Sequence, residues 1–235
     1  MMIWVFFFAI AAFIVFIGVR GVLGPRKQNR RARAGASDLA TALGFEVLDG
    51  REAVRRVIPG TSAEAEAAMA NYDKMPTFLR NLFESSGKAT CITGTADGVR
   101  ITIFFESRGS GKSQTTYTVV RADYPKPLPF ELHIAYEGTF IRLGKALFGL
   151  RDLEVGDEAF DRAVRIKTDG EAAARAVLAN AGARAAILGM IALSKEAFAT
   201  NAFATWERQG RRYDPSEMRT VIAALVPVTR TLGNM

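Results

Sequence analysis

The first 19 residues of the chain, Met1 to Val19, form an apolar run without a single charge. As an α-helix this run would rise about 28 Å, close to the ~30 Å hydrocarbon core of a bilayer. Its aromatic residues point all round the helix and leave no polar face, which favours a membrane span over a buried core helix. We predict a transmembrane helix over residues 1–24, with six aromatic residues for packing against other helices: Trp4, Phe6, Phe7, Phe8, Phe13 and Phe16.

Six basic residues follow the apolar run before the first acidic residue, Asp38. They are Arg20, Arg26, Lys27, Arg30, Arg31 and Arg33. A cleaved signal peptide carries its positive charge before the apolar run, whereas this chain carries it afterwards. Because Lys and Arg beside a span stay cytoplasmic, we expect a single-pass inner-membrane protein with its N-terminus outside and a cytoplasmic body. The basic linker over residues 25–36 then lies at the inner headgroups, where it sets the topology or also binds anionic lipid.

The remaining charges are almost balanced. The chain has 31 Lys and Arg against 24 Asp and Glu, and removing the six basic residues above leaves 25 against 24. The basic character therefore lies in one stretch and not on a folded face, which argues against a nucleic-acid partner. One Cys and one His are too few for a disulfide framework or a His/Cys zinc cluster. No metal and no cofactor is predicted.

The chain beyond the linker predicts one cytoplasmic α+β domain over residues 37–235. Alternation of apolar and polar residues predicts an antiparallel meander of four strands at 89–95, 99–106, 115–121 and 130–136. Further strands are predicted at 45–48, 163–168 and 202–208. Helical spacing and caps predict helices at 28–43, 61–72, 140–147, 171–180 and 183–193, and a last helix from Asp214 that Pro227 should bend or end. A strand block followed by helices is α+β order, so we expect an N-terminal single transmembrane helix and then a soluble domain built on an antiparallel sheet with packed helices.

Three short features invite a chemical interpretation that their context does not support. Gly109–Ser113 resembles a phosphate loop, but that motif needs glycine where Glu106 stands and a helix afterwards, so we predict a hairpin turn. The acidic cluster Asp152–Asp161 fails the spacing of a calcium loop, so we predict a turn and a helix cap. Cys91 lies in a predicted strand and is interpreted as a small core residue.

His133 shares one face of a predicted strand with Glu131 and Glu137. An imidazole beside two carboxylates suits acid/base chemistry or a metal. A solvated polar face gives the same pattern by chance, and neither a second His nor a nucleophile elbow accompanies it. We favour the polar face and keep the enzyme as an alternative.

Two short segments carry apolar stripes bordered by basic residues. Such stripes suit a membrane surface or a partner protein, and core packing is the alternative. The apolar residues are Phe78, Leu79, Leu82 and Phe83 in the first segment and Phe140, Leu143 and Leu147 in the second.

The stretch Leu153-Glu-Val-Gly-Asp-Glu-Ala-Phe-Asp161 is followed by Arg162–Lys167 and an Ala-rich helix. It resembles a pattern of uncharacterised bacterial single-pass membrane proteins, in which a Gly-Asp-x-x-Phe-Asp turn enters a strand and then a helix. The likeness covers roughly residues 90–193. It implies a membrane-tethered α+β domain and brings no catalytic residues.

Together these features predict a non-catalytic accessory or scaffold subunit that stabilises a larger membrane complex from the cytoplasmic side, for example an energy-transducing one. Its expected partners are the membrane, other membrane protein subunits and anionic lipid headgroups. Two alternatives stay open. One is a membrane-tethered module that binds lipid or a small ligand, and the other is an enzyme that uses Glu131, His133 and Glu137.

Overall fold

The computed structural model describes residues 31–57, 90–108, 114–136 and 150–233. The predicted membrane span and the predicted helices at 61–72 and 140–147 lie outside these ranges. The fold can therefore be compared with expectation over most of the predicted cytoplasmic domain.

The described chain begins with helix α1 over residues 31–43, and Gly44 ends the helix as predicted. Gly44 has a φ of +70°, the left-handed conformation that glycine adopts readily at a helix C-terminus. Strand β1 (Glu46–Asp49) follows one residue later than expected. It leads directly into α2 (Gly50–Val57), a helix that the sequence patterns did not predict.

The other strands join β1 in one sheet. They are β2 (Thr90–Ala96), β3 (Val99–Arg108), β4 (Thr115–Asp123), β5 (Leu132–Ala135), β6 (Arg151–Asp152), β7 (Arg165–Thr168), β8 (Phe198–Thr200) and β9 (Phe203–Gln209). Within the described ranges the sheet has nine strands in the order β1-β2-β3-β4-β9-β8-β5-β7-β6. All pairings are antiparallel, which confirms the expected antiparallel sheet.

The predicted four-strand meander is correct for three strands and wrong for the fourth. Arg108 pairs with Thr115 across the β3–β4 connection, so Gly109–Ser113 joins two strands of a hairpin and no helix follows it. β5 does not pair with β4, because β9 occupies that position over seven residue pairs. Eight residues, three of them proline, separate β4 from β5, and that segment is too long and too stiff for a tight hairpin loop.

Four helices follow β6: α3 (Glu158–Ala163), α4 (Glu171–Leu178), α5 (Ala181–Leu193) and α6 (Pro215–Gly233). The predictions at 171–180 and 183–193 are confirmed within two residues, and α6 starts where expected. Pro227 lies inside α6 and does not end it. Val228 and Leu232 continue the buried apolar stripe beyond the proline, and their burial offsets the hydrogen bond that proline removes.

The two faces of the sheet differ in chemistry. One face packs against the helices through a predicted apolar set that is now buried: Val99, Ile101, Ile103 and Phe105 of β3 with Met218, Val221, Ile222 and Leu225 of α6. The opposite face carries Thr93, Thr102, Arg121 and Thr205, which are neighbours in register on β2, β3, β4 and β9. We call these four residues the polar face. All four are buried.

None of the described helices is by itself long and apolar enough to cross a membrane. α4 and α5, which meet at a bend of 88°, reach that length and composition only as a pair. The α+β fold with a large antiparallel sheet and packed helices is thus established for the described residues, and the transmembrane helix stays a prediction.

Candidate functional site

Two of the six predicted membrane-surface residues lie in the described chain. Arg31 and Arg33 stand on the first turns of α1 and are exposed. The Arg33 guanidinium lies 4.0 Å from the Asp49 carboxylate, and its side chain remains 70% exposed. The other residues proposed for the membrane or a partner lie outside the described ranges: Arg20, Arg26, Lys27, Arg30, the six aromatic residues of the span, and Phe78, Leu79, Leu82, Phe83, Phe140, Leu143 and Leu147.

Helix α1 runs alongside α6 in the same direction. A Cβ at Gly35 would lie 3.0 Å from the Tyr213 ring. The described start of α1 therefore touches the residues just before α6. Seven residues further along α1, the carbonyl of Ala42 accepts a hydrogen bond from Arg219 on α6, at 2.5 Å. The order of these contacts along α1 and along α6 is the same, so the start of the described part of α1 lies beside the segment that precedes α6.

That segment, Gly210–Asp214, is held firmly to the sheet; we call it the β9–α6 loop. Gly210 has a φ of +90° and donates from its amide to Thr116 at 2.8 Å. The Thr118 hydroxyl donates to the Gly210 carbonyl at 2.7 Å and accepts from the Arg212 amide at 2.9 Å. One threonine thus hydrogen-bonds backbone groups on both sides of Arg211, and these bonds fix the position of the loop beside α1.

Aromatic contacts hold the loop from the other side. The Tyr213 ring packs on the Phe105 ring of β3 with centroids 5.2 Å apart. The Arg211 guanidinium lies over the same Phe105 ring at 5.4 Å, within range of a cation–π interaction. The result is one end of the molecule with four basic residues, which we call the basic end: Arg31, Arg33, Arg211 and Arg212.

Arg108, at the end of β3, is engaged in the structure. It donates to both carboxylate oxygens of Glu207 at 2.7 and 2.8 Å and to Glu106 at 3.0 Å. These hydrogen bonds raise the pKa of the guanidinium above its ordinary value. Arg108 also lies 4.8 Å from the centre of the Tyr117 ring. It therefore ties β3 to β9 across β4.

Arg121 is the central charge of the polar face and is only 4% exposed. Its Nε lies 2.8 Å from the Asp123 carboxylate, and it donates to the Arg56 carbonyl of α2 at 2.6 Å. Burial lowers the pKa of Arg121, and Asp123 opposes that effect. Asp123 also accepts from Arg100 at 2.8 Å. The carboxylate therefore serves two guanidinium groups, one buried and one half exposed.

The threonines of the polar face have different partners. Thr93 donates to the Ile101 carbonyl at 3.1 Å and Thr205 to the Val120 carbonyl at 3.0 Å. The Thr102 hydroxyl lies between them, is fully buried, and finds no partner among the described residues. It stands directly beside Arg121 in register.

Cys91 is a core residue, as its place in the alternating strand predicted. It is fully buried, and its sulfur lies 4.0 Å from the Ala53 carbonyl of α2. Burial raises the pKa of the thiol to about 12. The side chain is therefore a neutral thiol at physiological pH and lacks the character of a nucleophile.

His133 and Glu131 lie together, whereas Glu137 is outside the described residues. The His133 Nε2 is 3.7 Å from the Glu131 carboxylate, and the imidazole is 13% exposed. Its Nδ1 is buried and makes no hydrogen bond with the described residues. Burial lowers the pKa of His133 and Glu131 opposes the effect. A neutral imidazole beside a half-exposed carboxylate is a possible acid/base pair, so the enzyme alternative stays a prediction.

The acidic cluster forms the expected turn and cap. Asp157 accepts from the Phe160 amide at 3.2 Å and from Arg184 at 3.0 Å, and the amide hydrogen bond lowers its pKa. Asp161 accepts from the amides of Val155 and Gly156. The Gly-Asp-x-x-Phe-Asp motif thus enters the short helix α3 before β7, and not a strand directly. No set of three or more His, Cys, Asp and Glu in the described ranges is arranged to hold a metal ion.

The polar face was not predicted from the sequence. Arg121 and Asp123 occupy alternate positions on β4, where charged residues indicate an exposed strand face. The one available signal was their position at the end of an otherwise apolar run, Val119-Val-Arg-Ala-Asp123, because charged residues inside such a run are usually paired.

Comparison with known proteins bears on the fold alone. No family model and no curated protein matches the chain. Among solved structures, the crystal structure of the mycobacterial trehalose monomycolate transport factor A, TtfA, aligns with a TM-score of 0.50. The alignment covers 86% of this chain and 93% of that chain at 11% sequence identity. This chain therefore shares its overall α+β architecture with that protein.

Proposed function

We propose that this chain is a membrane-anchored, non-catalytic accessory subunit of a larger membrane complex, with its α+β domain on the cytoplasmic side. The observation that carries the proposal is the junction between α1 and the rest of the domain. Gly35 packs on Tyr213 and Ala42 accepts from Arg219, so α1 is fixed to the domain from its first turns. An anchor that enters α1 is thereby coupled to the sheet without a flexible joint after residue 31.

The paired charges of the sheet support a structural role. Arg108 is bound by Glu207 and Glu106, and Arg121 by Asp123. The Arg108–Glu207 contact connects β3 to β9, which are far apart in sequence, whereas the other two contacts lie within single strands. We propose that the cross-strand contact helps to hold the sheet as a rigid body. A rigid body on a fixed anchor suits a subunit that positions or stabilises other proteins.

The protein of similar fold is named a transport factor. We propose that the present chain likewise assists a membrane process that other subunits carry out, and the aromatic residues predicted in its span would contact their helices.

Purification from native membranes tests this proposal. The full-length chain, tagged at its C-terminus, is extracted in a mild detergent and the proteins retained with it are identified by mass spectrometry. We expect a defined set of membrane proteins in constant proportion. A control variant has residues 1–24 replaced by a polyleucine span of equal length, which keeps the anchor and removes its aromatic surface. This variant should stay in the membrane and lose the partners, whereas repeated recovery of the wild-type chain alone would contradict the proposal.

A ligand-binding module is the second candidate, because the polar face contains unsatisfied buried groups. The Thr102 hydroxyl and the Arg56 Nε are both buried without a hydrogen-bond partner in the described chain. Thr102 stands beside Arg121 in register, and the backbone carbonyl of Arg56 accepts a hydrogen bond from Arg121. Native mass spectrometry of the membrane-extracted protein tests this candidate. A retained species of constant mass that is lost in Thr102→Val would favour it, and an unliganded protein would remove it.

A further inference from the structure

We propose that the basic end is a contact surface for anionic lipid headgroups, which holds the domain upright on the bilayer with α6 directed away from it. The proposal rests on the proposed function in one respect, since it requires the predicted anchor. It adds residues of the folded domain, Arg211 and Arg212, to a surface that the sequence assigned to the linker alone.

The reach of the chain selects this end of the domain. Six residues lie between the end of the predicted span, residue 24, and residue 31, and the seven steps of chain extend at most about 25 Å. Arg31 lies four residues before Gly35 and therefore on the same face of α1, one turn nearer the membrane. Gly35 touches Tyr213 of the β9–α6 loop. The loop and the start of α1 consequently approach the bilayer together.

The opposite end of the domain is identified by the other end of α6. A Cβ at Gly233 would lie 2.8 Å from Pro125, and Arg230 lies 3.9 Å from the Asp97 carboxylate. With 19 residues, α6 spans about 28 Å. The turn at Asp97 and the exposed residue Lys126 are therefore separated from the basic end by the length of the domain.

The basic residues at the two ends of the domain differ in whether they form ion pairs. The side chains of Arg31 and Arg212 form no ion pair or hydrogen bond with any residue that the structure describes. Arg33 is 70% exposed beside Asp49. At the opposite end, Arg100 is bound to Asp123 at 2.8 Å, and Arg230 donates to the Asp97 carbonyl and lies 3.9 Å from its carboxylate. Unpaired guanidinium groups bind phosphate and carboxylate oxygens well, and basic residues at a membrane surface are attracted to anionic lipid.

The β9–α6 loop is suited to this contact because it is already ordered. Thr118 fixes the loop backbone on both sides of Arg211, and Phe105 supports the Arg211 guanidinium. Binding lipid therefore orders few additional groups, which favours association. Binding to this surface should also depend on the charge of the lipid. The electrostatic attraction between the basic residues and anionic headgroups acts only within a Debye length of about 8 Å, so the basic end must lie close to the bilayer surface.

The test uses the full-length chain in lipid nanodiscs made either of phosphatidylcholine alone or with added phosphatidylserine. A fluorophore is attached at Gln209→Cys, beside the basic end, or at Lys126→Cys, at the opposite end; the buried Cys91 does not compete for the label. Quenching by a headgroup spin label reports the distance from the bilayer surface. We expect strong quenching at position 209 and little at 126, with the quenching at 209 greater in discs that contain phosphatidylserine.

A charge variant tests the role of the basic residues. Arg31→Gln with Arg212→Gln should reduce the population at the anionic surface about fivefold per residue and lower quenching at position 209 toward the value in neutral discs. Lys126→Gln is the matched control and should change nothing. Equal thermal unfolding of all variants verifies that the fold is retained.

The outcomes separate this inference from the proposed function. A chain that does not enter nanodiscs lacks the anchor, which overturns both. Insertion with equal quenching at positions 209 and 126 overturns the lipid contact and leaves the accessory role intact. Quenching at position 209 that is the same in both kinds of disc and in the charge variant shows that the predicted anchor alone sets the distance of position 209 from the bilayer. That result also overturns lipid recognition.

Discussion

Replacing Asp123 with asparagine removes the negative charge that pairs with Arg121 of the polar face and nearly preserves the shape of the side chain. The Asp123 carboxylate is about 10% exposed and lies 2.8 Å from Arg121 and 2.8 Å from Arg100. The substitution leaves the Arg121 guanidinium buried without its carboxylate. Removing one partner of a buried ion pair typically costs about 3–5 kcal/mol of folding free energy.

An exposed pair provides the matched control. Glu158 and Arg162 form an i, i+4 pair on α3 with side chains 87% and 75% exposed. Glu158→Gln makes the same chemical change as Asp123→Asn, and it should cost no more than about 0.5 kcal/mol because the charges are screened by water. The two substitutions therefore differ in burial and not in chemistry.

Urea unfolding of the full-length chain in detergent micelles, followed through the buried Trp206, measures both effects. For a slope of about 2–3 kcal/mol per molar urea, Asp123→Asn should lower the midpoint by about 1–2 M. Adding Arg121→Met should recover part of this loss, since the buried charge is then also removed. Equal midpoints for Asp123→Asn and Glu158→Gln would refute the reasoning.

Three further predictions concern packing, pH and reactivity. A Cβ at Gly94 would lie 2.1 Å from the Phe45 ring, so Gly94→Ala should lower the free energy of unfolding by about 1–3 kcal/mol in thermal unfolding. The helical Gly189 has open space around it, and Gly189→Ala should raise the free energy of unfolding by up to about 1 kcal/mol. Burial lowers the pKa of His133, the one histidine of the chain, so the unfolded chain binds a proton first as the pH falls. The free energy of unfolding measured in urea should therefore decrease from pH 7.5 to 5.5 by at most about 1.4 kcal/mol per pH unit. His133→Gln should make this decrease smaller, and an equal decrease in the variant would contradict the role given to His133. Cys91 should resist thiol reagents at pH 8 and react fully in urea, whereas rapid reaction of the native chain would contradict its raised pKa.

The sequence correctly predicted the structural features that depend on residues close together along the chain. The alternation in β2, β3 and β4 and the glycine stop after α1 are local signals, and the structure confirms them. The helix α2 was missed because the turn signal Asp49-Gly50 precedes it and half of its eight residues are charged. The position of β9 beside β4 was also missed, because local sequence patterns do not show pairing between residues 86 apart, such as Val120 and Trp206.

The same limit applies to the polar face. Arg121 has the spacing of a solvent-facing residue, and it is buried because α2 lies against this face and accepts its hydrogen bond at Arg56. The basic end was half predicted. Arg31 and Arg33 belong to an obvious charge run, whereas Arg211 and Arg212 join them only through the packing of Tyr213 on Gly35.

The insertion of β9 between β4 and β8 has a consequence for biosynthesis. When Asp123 is translated, its pairing partner Phe203 is still 80 residues away along the chain. At about 5–20 residues per second this interval lasts some 4–16 s. During that time the nascent hairpin carries an uncovered edge strand, the kind of template on which chains aggregate. We therefore expect the risk of aggregation to be greatest before the second half of the protein has been made.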